Sequence, residues 1–342
     1  MQEFIYYNPK GLDFPISEEI LVTTNIEDTK EKNFLISNTK EVESELNADE
    51  IDFYINNSKD AMSAKIENVL KLYEIAASKY DFAQDISYSE DISKQLLLVA
   101  NTKEEYEAFT EHIDTDDFEL FFVKEEIVKE VSGHIGNLSV VVDDEGKDVT
   151  LNVSQIVWFD AKQIALNQSG TFDPNLSSIE EVVTTLKENI NSYSYKKFTT
   201  YDKEICQYDG RREEICSKCE EVCPTVAITK DDETKTLGFS QIDCHGCGGC
   251  VSVCPSGAID YAPSNKESLF EMSKFYEETH PLIVPEKMKM SSLEVSLKEN
   301  VLPFAIEGEK FLHEASFLTL LQISGSQVIF FSDFISKGSG DA

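Results

Sequence analysis

The eight cysteines of this chain are confined to one stretch, from Cys206 to Cys254, and the rest of the 342 residues contain none. A secreted protein held by disulfides spreads its bridges through the fold, so this distribution argues against a disulfide framework. Thiolates are also metal ligands. The sequence therefore predicts that one small region of a larger protein uses its thiols for a local purpose.

The cysteines form an internal repeat of two sets, each of which ends in Cys-Pro. The first set is Cys206, Cys216, Cys219 and Cys223, and the second is Cys244, Cys247, Cys250 and Cys254. The second set has the spacing Cys-x2-Cys-x2-Cys-x3-Cys-Pro, and the first has the same tail. Three closely spaced cysteines let one loop wrap a cubane and present thiolates to three irons. The first set departs from the pattern because residues Gln207 to Ile215, the insertion loop, follow its leading cysteine.

With these motifs, the stretch from Ile205 to Ala262 resembles the two-[4Fe–4S] ferredoxins of the bacterial type. The resemblance implies a ferredoxin-like module, one-electron transfer and two [4Fe–4S] clusters as cofactors. In such modules the fourth cysteine of each motif ligates the other motif's cluster. The implied ligands are Cys206, Cys216, Cys219 and Cys254 for the first cluster, and Cys223, Cys244, Cys247 and Cys250 for the second cluster.

Alternatives remain open at this point. Cys-x2-Cys pairs also form closed zinc sites, although zinc modules have no reason to end both repeats in Cys-Pro. Iron–sulfur clusters can also be purely structural. The insertion loop has two interpretations: a solvated loop in which arginine and glutamate side chains pair, or a loop that places Arg211 or Arg212 over the first cluster and favours its reduced form.

The rest of the chain predicts an α/β fold, an α+β mixture in which small α/β domains flank the ferredoxin-like two-cluster module. Residues Ile51 to Ile55 predict a strand, and capping boxes of Thr102 with Glu105 and of Ser177 with Glu180 predict helix starts. The predicted division is residues 1–125 as an α/β domain, 126–197 as a β-rich segment with a helix, 198–263 as the two-[4Fe–4S] ferredoxin domain, and 264–342 as a C-terminal α/β segment whose completeness stays open.

The chain is strongly acidic, with 64 Asp and Glu against 30 Lys and Arg and a formal charge of −34. This charge argues against nucleic acid and anionic membrane surfaces as partners. It serves either solubility alone or the steering of basic patches on redox partners toward the clusters. No apolar run is long enough for a transmembrane helix, and the N-terminal residues lack a signal-peptide pattern, so we expect a cytoplasmic protein without membrane insertion.

These features predict an electron carrier rather than a catalyst by itself, and no catalytic residues. The alternative is a flavin- or nicotinamide-linked oxidoreductase whose flanking domains bind the organic cofactor. Gly133 and Gly136 are the best glycine pair elsewhere, but they lack the G-x-G-x-x-G spacing and precede a predicted strand.

Two flanking stretches carry further resemblances. The stretch around Gly133 resembles part of heterodisulfide reductase A-type subunits, and Asn300 to Phe331 resembles the δ subunit of methyl-viologen-reducing hydrogenases. Both resemblances imply redox protein partners in a hydrogenase- or reductase-type complex, and neither implies a particular reaction.

Overall fold

The structure, a computed structural model, describes residues 4–11, 14–15, 20–25, 27, 35–37, 44, 46–114, 116–213, 215–285, 288–290, 293–308 and 310–331. The chain forms two compact units: residues 86–246, and residues 1–85 together with 247–342. Helices and strands are mixed in both units, which confirms the predicted α/β mixture.

The N-terminal part of the discontinuous unit holds four strands and two helices. These are β1 (Phe4–Tyr7), β2 (Ile20–Thr23), β3 (Leu35–Ser37), β4 (Leu46–Asn47), α1 (Asp49–Asn57) and α2 (Met62–Asp81). The strands form a parallel sheet in the order β2-β1-β3-β4.

Helix α1 corrects the strand predicted at Ile51 to Ile55. The apolar run is buried, but in a helix whose first turn carries Asp49, Glu50 and Asp52. Carboxylates in the first turn interact favourably with the positive end of the helix dipole. A helix that buries most of its sides lacks clear helical periodicity in its sequence, so a short apolar run cannot be told from a strand.

A buried carboxylate fixes the connection between α1 and α2. Asp60 accepts hydrogen bonds from the Tyr54 hydroxyl at 2.6 Å, from the Ser58 hydroxyl at 2.9 Å and from the Asn300 amide at 2.7 Å. Burial raises the pKa of Asp60, but these hydrogen bonds outweigh it and the pKa is lowered overall. Burial together with the bond to Asp60 raises the pKa of Tyr54 to about 12.

The unit of residues 86–246 holds most of the strands. Its elements are β5 (Ser87–Glu90), β6 (Gln95–Val99), α3 (Lys103–Thr110), β7 (Glu119–Val123), β8 (Val128–His134), β9 (Asn137–Asp144), β10 (Lys147–Val153), β11 (Gln155–Trp158), α4 (Gln163–Leu166), β12 (Thr171–Phe172), α5 (Ile179–Asn189), β13 (Tyr193–Lys196), β14 (Thr199–Tyr201), α6 (Lys218–Glu221), β15 (Ile228–Asp231) and β16 (Thr236–Phe239). A short 3-10 helix covers Glu125–Ile127.

Three layers form the core of this unit. A parallel sheet in the order β12-β11-β6-β7 lies between helices α3 and α5 on one face and the antiparallel sheet β10-β9-β8 on the other. Alternation along β6 explains the arrangement, since Leu96 and Leu98 pack with the helices while Leu97 and Val99 pack with the antiparallel sheet. The predicted domain boundary after residue 125 falls inside this core, and the four-part division stays a prediction.

The two predicted capping boxes have different outcomes. The Thr102 and Glu105 box at α3 is confirmed. At α5 the box is formed by Ser178 and Glu181, one residue later than predicted. Because Ser177 and Ser178 each lie three residues before a glutamate, both pairs fit the capping-box spacing. The Ser177 amide is hydrogen-bonded to the Asp173 carbonyl, so Ser177 belongs to the preceding turn.

The C-terminal part of the discontinuous unit contains a second parallel sheet. Its elements are α7 (Gly249–Ser252), β17 (Ile259–Tyr261), α8 (Lys266–Ser273), β18 (His280–Pro285), β19 (Val301–Ile306), α9 (Glu314–Ser324) and β20 (Ile329–Phe330), with 3-10 turns at Ala262–Ser264 and Lys274–Tyr276. The sheet order is β19-β18-β20, and α1 packs against β19. Across the part of the chain that the structure describes, no helix is long and apolar enough to cross a membrane.

Candidate iron–sulfur centre

The Cys206 sulfur lies in a pocket of hydrogen-bond donors. It accepts bonds from the backbone amides of Tyr208 at 3.4 Å and Asp209 at 3.5 Å, and the Cys206 side chain is buried. The Tyr201 hydroxyl donates to the Asp209 carboxylate at 2.9 Å. Burial raises the pKa of Tyr201, and the interactions with Cys206 and Asp209 raise it further. Hydrogen bonds to a ligand atom orient it and tune the metal, so the surroundings of Cys206 suit a metal ligand.

The insertion loop packs on the hairpin of β15 and β16. The ring of Tyr208 is fully buried, and its hydroxyl lies 2.8 Å from the Asp232 carboxylate and 3.1 Å from the Asp231 carbonyl oxygen. The hydrogen bond from Tyr208 lowers the pKa of Asp232. The Gly210 amide donates to the Lys235 carbonyl at 2.8 Å. The loop is therefore anchored at two points, and Cys206 lies at its start.

Arg211 holds the backbone that carries Cys206. Its Nε donates to the Cys206 carbonyl at 2.9 Å, and its Nη2 donates to the Glu204 carbonyl at 3.0 Å. Arg211 and the neighbouring Arg212 are both exposed. Of the two arginines in the insertion loop, Arg211 is therefore the one that contacts a candidate ligand. Its partners are backbone carbonyls and not a glutamate side chain.

Two hydroxyl groups next to the last cysteines of the repeats were missed by the sequence reasoning. The Thr225 oxygen lies 3.5 Å from the Cys223 sulfur, and the Ser256 oxygen lies 3.8 Å from the Cys254 sulfur. Both residues follow Cys-Pro directly. The repeat itself shows that both cysteine sets place a hydroxyl residue at the same position. Only the structure shows that both hydroxyl groups lie near the cysteine sulfur.

The remaining cysteines differ in burial. Cys219 and Cys254 are buried, and Cys216, Cys223, Cys244, Cys247 and Cys250 are half-buried. None of the eight, all of which the structure describes, is in a disulfide. Among the described residues, no three Cys, His, Asp or Glu side chains meet where they could hold a single metal ion.

The glycines among the second set of cysteines are needed for packing against protein. Gly246 and Gly248 have φ values of +68° and +77°, which favour glycine. A Cβ on Gly246 would lie 2.8 Å from the ring of Phe198, and one on Gly248 would lie 2.7 Å from the Cα of Phe311. These close contacts explain why both positions require glycine.

The two repeats turn differently after Cys-Pro. Gly257 has a φ of +66°, and its amide donates to the Cys254 carbonyl at 3.2 Å. Val226, at the equivalent position, keeps a negative φ, and the next amide, of Ala227, donates to the Thr225 hydroxyl at 3.1 Å. The valine is therefore accommodated by a different turn.

The glycine pair outside the cysteine region belongs to a hairpin. Gly133 lies at the end of β8, and Gly136 lies between β8 and β9. A Cβ on Gly133 would collide with the backbone of Asn137 across the hairpin. The glycines serve a turn between antiparallel strands, which is not the strand-to-helix context of a dinucleotide site.

Comparison with known proteins places a cluster-binding domain at this site. A family model of the 4Fe-4S dicluster domain matches residues 214–272. The match contains every cysteine except Cys206, and it supports iron–sulfur electron transfer by this part of the chain. The search of curated proteins found no similar sequence. The resemblances to heterodisulfide reductase and hydrogenase subunits are not shown by these comparisons.

The chemistry of the donor set fits 4Fe-4S clusters. Thiolates are the usual ligands of such clusters, and hydrogen bonds to their sulfurs are among the features that set the reduction potential. Hydrogen-bonding groups lie next to three of the candidate sulfurs, those of Cys206, Cys223 and Cys254. When bound, a cluster supplies one-electron redox chemistry, and the chain supplies thiolates, hydrogen bonds and nearby charges.

Proposed function

We propose that this chain relays single electrons through two [4Fe–4S] clusters, as a subunit or domain of a larger cytoplasmic redox complex. The observation that carries the proposal is the repeat of two cysteine sets, of which every cysteine except Cys206 lies within a 4Fe-4S dicluster domain match. Two sets of four cysteines supply the eight thiolates that two cubanes require. The first cluster takes Cys206, Cys216, Cys219 and Cys254, and the second cluster takes Cys223, Cys244, Cys247 and Cys250.

The hydrogen bonds at Cys206 support its place in the first cluster, although it lies outside the matched residues. The buried Cys206 sulfur accepts hydrogen bonds from two backbone amides, and hydrogen bonds to sulfur are a feature of iron–sulfur ligands. The anchored insertion loop gives this geometry a structural basis, because Tyr208 and Gly210 are both fixed to the β15–β16 hairpin. The longer spacing before Cys216 is therefore compatible with a ligand role for Cys206.

The proposed partners are redox proteins that dock close to the clusters. Three exposed apolar side chains each precede a candidate ligand: Ile205 at 48%, Ile215 at 69% and Val222 at 40% exposure. Apolar side chains at the centre of a transient interface exclude water, while an acidic surface around them steers a basic partner. Both features suit an electron carrier that exchanges electrons with a separate protein.

Absorption and electron paramagnetic resonance spectra of the anaerobically purified chain test the proposal. We expect a broad visible absorption that bleaches on reduction with dithionite and returns on oxidation, and resonance signals of reduced [4Fe–4S] clusters. Additional flavin bands would favour the cofactor-binding oxidoreductase instead. Clusters that cannot be reduced reversibly would indicate a structural role and contradict electron transfer.

A further inference from the structure

The two arginines of the chain are concentrated at one place. Arg211 and Arg212 are the only arginines among the 30 Lys and Arg residues, and both lie in the insertion loop. The planar guanidinium of arginine can bond two acceptors in a fixed geometry, which the compact ammonium of lysine does not do. Arg211 uses this property on the carbonyls of Cys206 and Glu204.

The position of Arg211 fixes a positive charge next to a candidate ligand. Its Nε lies 2.9 Å from the carbonyl oxygen of the same residue whose sulfur is the proposed ligand. Reduction adds one negative charge to a cluster, so a nearby cation stabilises the reduced state more than the oxidised state. The two amides that donate to the Cys206 sulfur act in the same direction.

Asp209, one of three acidic residues in the loop, carries a negative charge that opposes this effect. The carboxylate of Asp209 accepts hydrogen bonds from the Tyr201 hydroxyl at 2.9 Å and from the Leu237 amide at 3.4 Å. These bonds offset part of its negative charge and hold the residue so that its own amide points at the Cys206 sulfur. Arg211 and Asp209 therefore place opposite charges near the same candidate ligand, Cys206.

We propose that the insertion loop sets the reduction potential of the first cluster, with Arg211 as a positioning residue that raises it and makes this cluster the easier of the two to reduce. The inference rests on the proposed function, since it requires both clusters. Electrons that enter the chain would then rest on the first cluster. The loop, which lengthens the first cysteine set, thus gives the two otherwise similar sets different redox properties.

A redox titration of the full chain, followed by electron paramagnetic resonance, tests this inference. For Arg211→Gln we expect the equilibrium constant for reduction of the first cluster, the one of higher potential, to fall by roughly three- to tenfold, which is ~30 to ~60 mV. The other midpoint should stay in place. Arg211→Lys keeps the charge and should restore most of the shift. Arg212→Gln, which removes the same charge from the next residue, is the matched control and should have a smaller effect, because it leaves the bonds of Arg211 to the Cys206 and Glu204 carbonyls in place.

Asp209→Asn provides a second variant of opposite sign. It removes a negative charge from the same loop, so the same midpoint should rise. A loop with a merely structural role would respond to Arg211→Gln and Asp209→Asn in the same direction, which would overturn the proposal. Equal shifts of both midpoints, or an Arg212→Gln effect as large as that of Arg211→Gln, would also overturn it. Failure of the proposed function would look different, because the wild-type chain would then show no pair of reversible midpoints.

Discussion

Thr225→Val tests which cysteine set ligates which cluster, and it does so without removing a ligand. The Thr225 hydroxyl lies 3.5 Å from the Cys223 sulfur. A cysteine bound to iron is a thiolate without a proton, so the threonine hydroxyl must be the donor. Valine has nearly the same shape but no hydroxyl. The variant therefore deletes one hydrogen bond and leaves all eight candidate ligands in place.

The expected shift follows from the strength of this hydrogen bond. A hydrogen bond to a charged group contributes about 1.5–3 kcal/mol, and only the part that changes on reduction affects the potential. Half of the lower figure, ~0.7 kcal/mol, corresponds to ~30 mV for a one-electron couple. Because the donor favours the more negative, reduced cluster, the midpoint should fall. Ser256→Ala removes a longer contact, 3.8 Å from the Cys254 sulfur, and its shift should be smaller.

The assay is an anaerobic redox titration in which each midpoint is assigned to a cluster. Cys206→Ser marks the first cluster, because it changes that cluster's signal. With the proposed ligands, Thr225→Val lowers the midpoint of the second cluster and Ser256→Ala lowers that of the first. If Thr225→Val instead moves the midpoint that Cys206→Ser alters, each cysteine set ligates its own cluster and the reasoning is refuted.

Two further predictions concern stability. Gly248→Ala should lower both the melting temperature and the iron content, because the new Cβ would lie 2.7 Å from the Cα of Phe311. Gly146→Ala is its matched control, since Gly146 has a similar φ of +85° but open space around it, and it should cost only about 1–2 kcal/mol of backbone strain. In urea unfolding, Asp60→Asn should destabilise the chain by about 1–3 kcal/mol at neutral pH. Hydrogen bonds lower the pKa of Asp60 overall, so the stability that its carboxylate contributes is lost as the pH falls through that lowered pKa. A difference in the free energy of unfolding between the variant and wild type that persists in acid would contradict this account.

The sequence predicted the cysteine-rich centre because its spacing is a local property. The Cys-Pro ends and the short cysteine spacings each lie within a few consecutive residues. The 4Fe-4S dicluster match contains every cysteine except Cys206. The capping box at α3 was predictable for the same reason. In each case the decisive residues lie within a few positions of one another.

Features that depend on distant contacts were not predictable. The insertion loop owes its conformation to Tyr208, whose hydroxyl bonds with residues more than twenty positions away, at Asp231 and Asp232. The need for glycine at position 248 depends on Phe311, from a different part of the chain. Because α1 is buried on several sides, its apolar residues do not show a helical spacing in the sequence, and they indicated a strand instead.

The iron and acid-labile sulfide content of the anaerobically purified chain tests the central claim most directly. Two [4Fe–4S] clusters require about eight irons and about eight sulfides per chain. We expect these values in a brown protein, and a loss of about half of the iron in Cys216→Ser, which removes a ligand of the first cluster alone. A colourless protein that contains zinc in place of iron, with no sulfide, would contradict the claim.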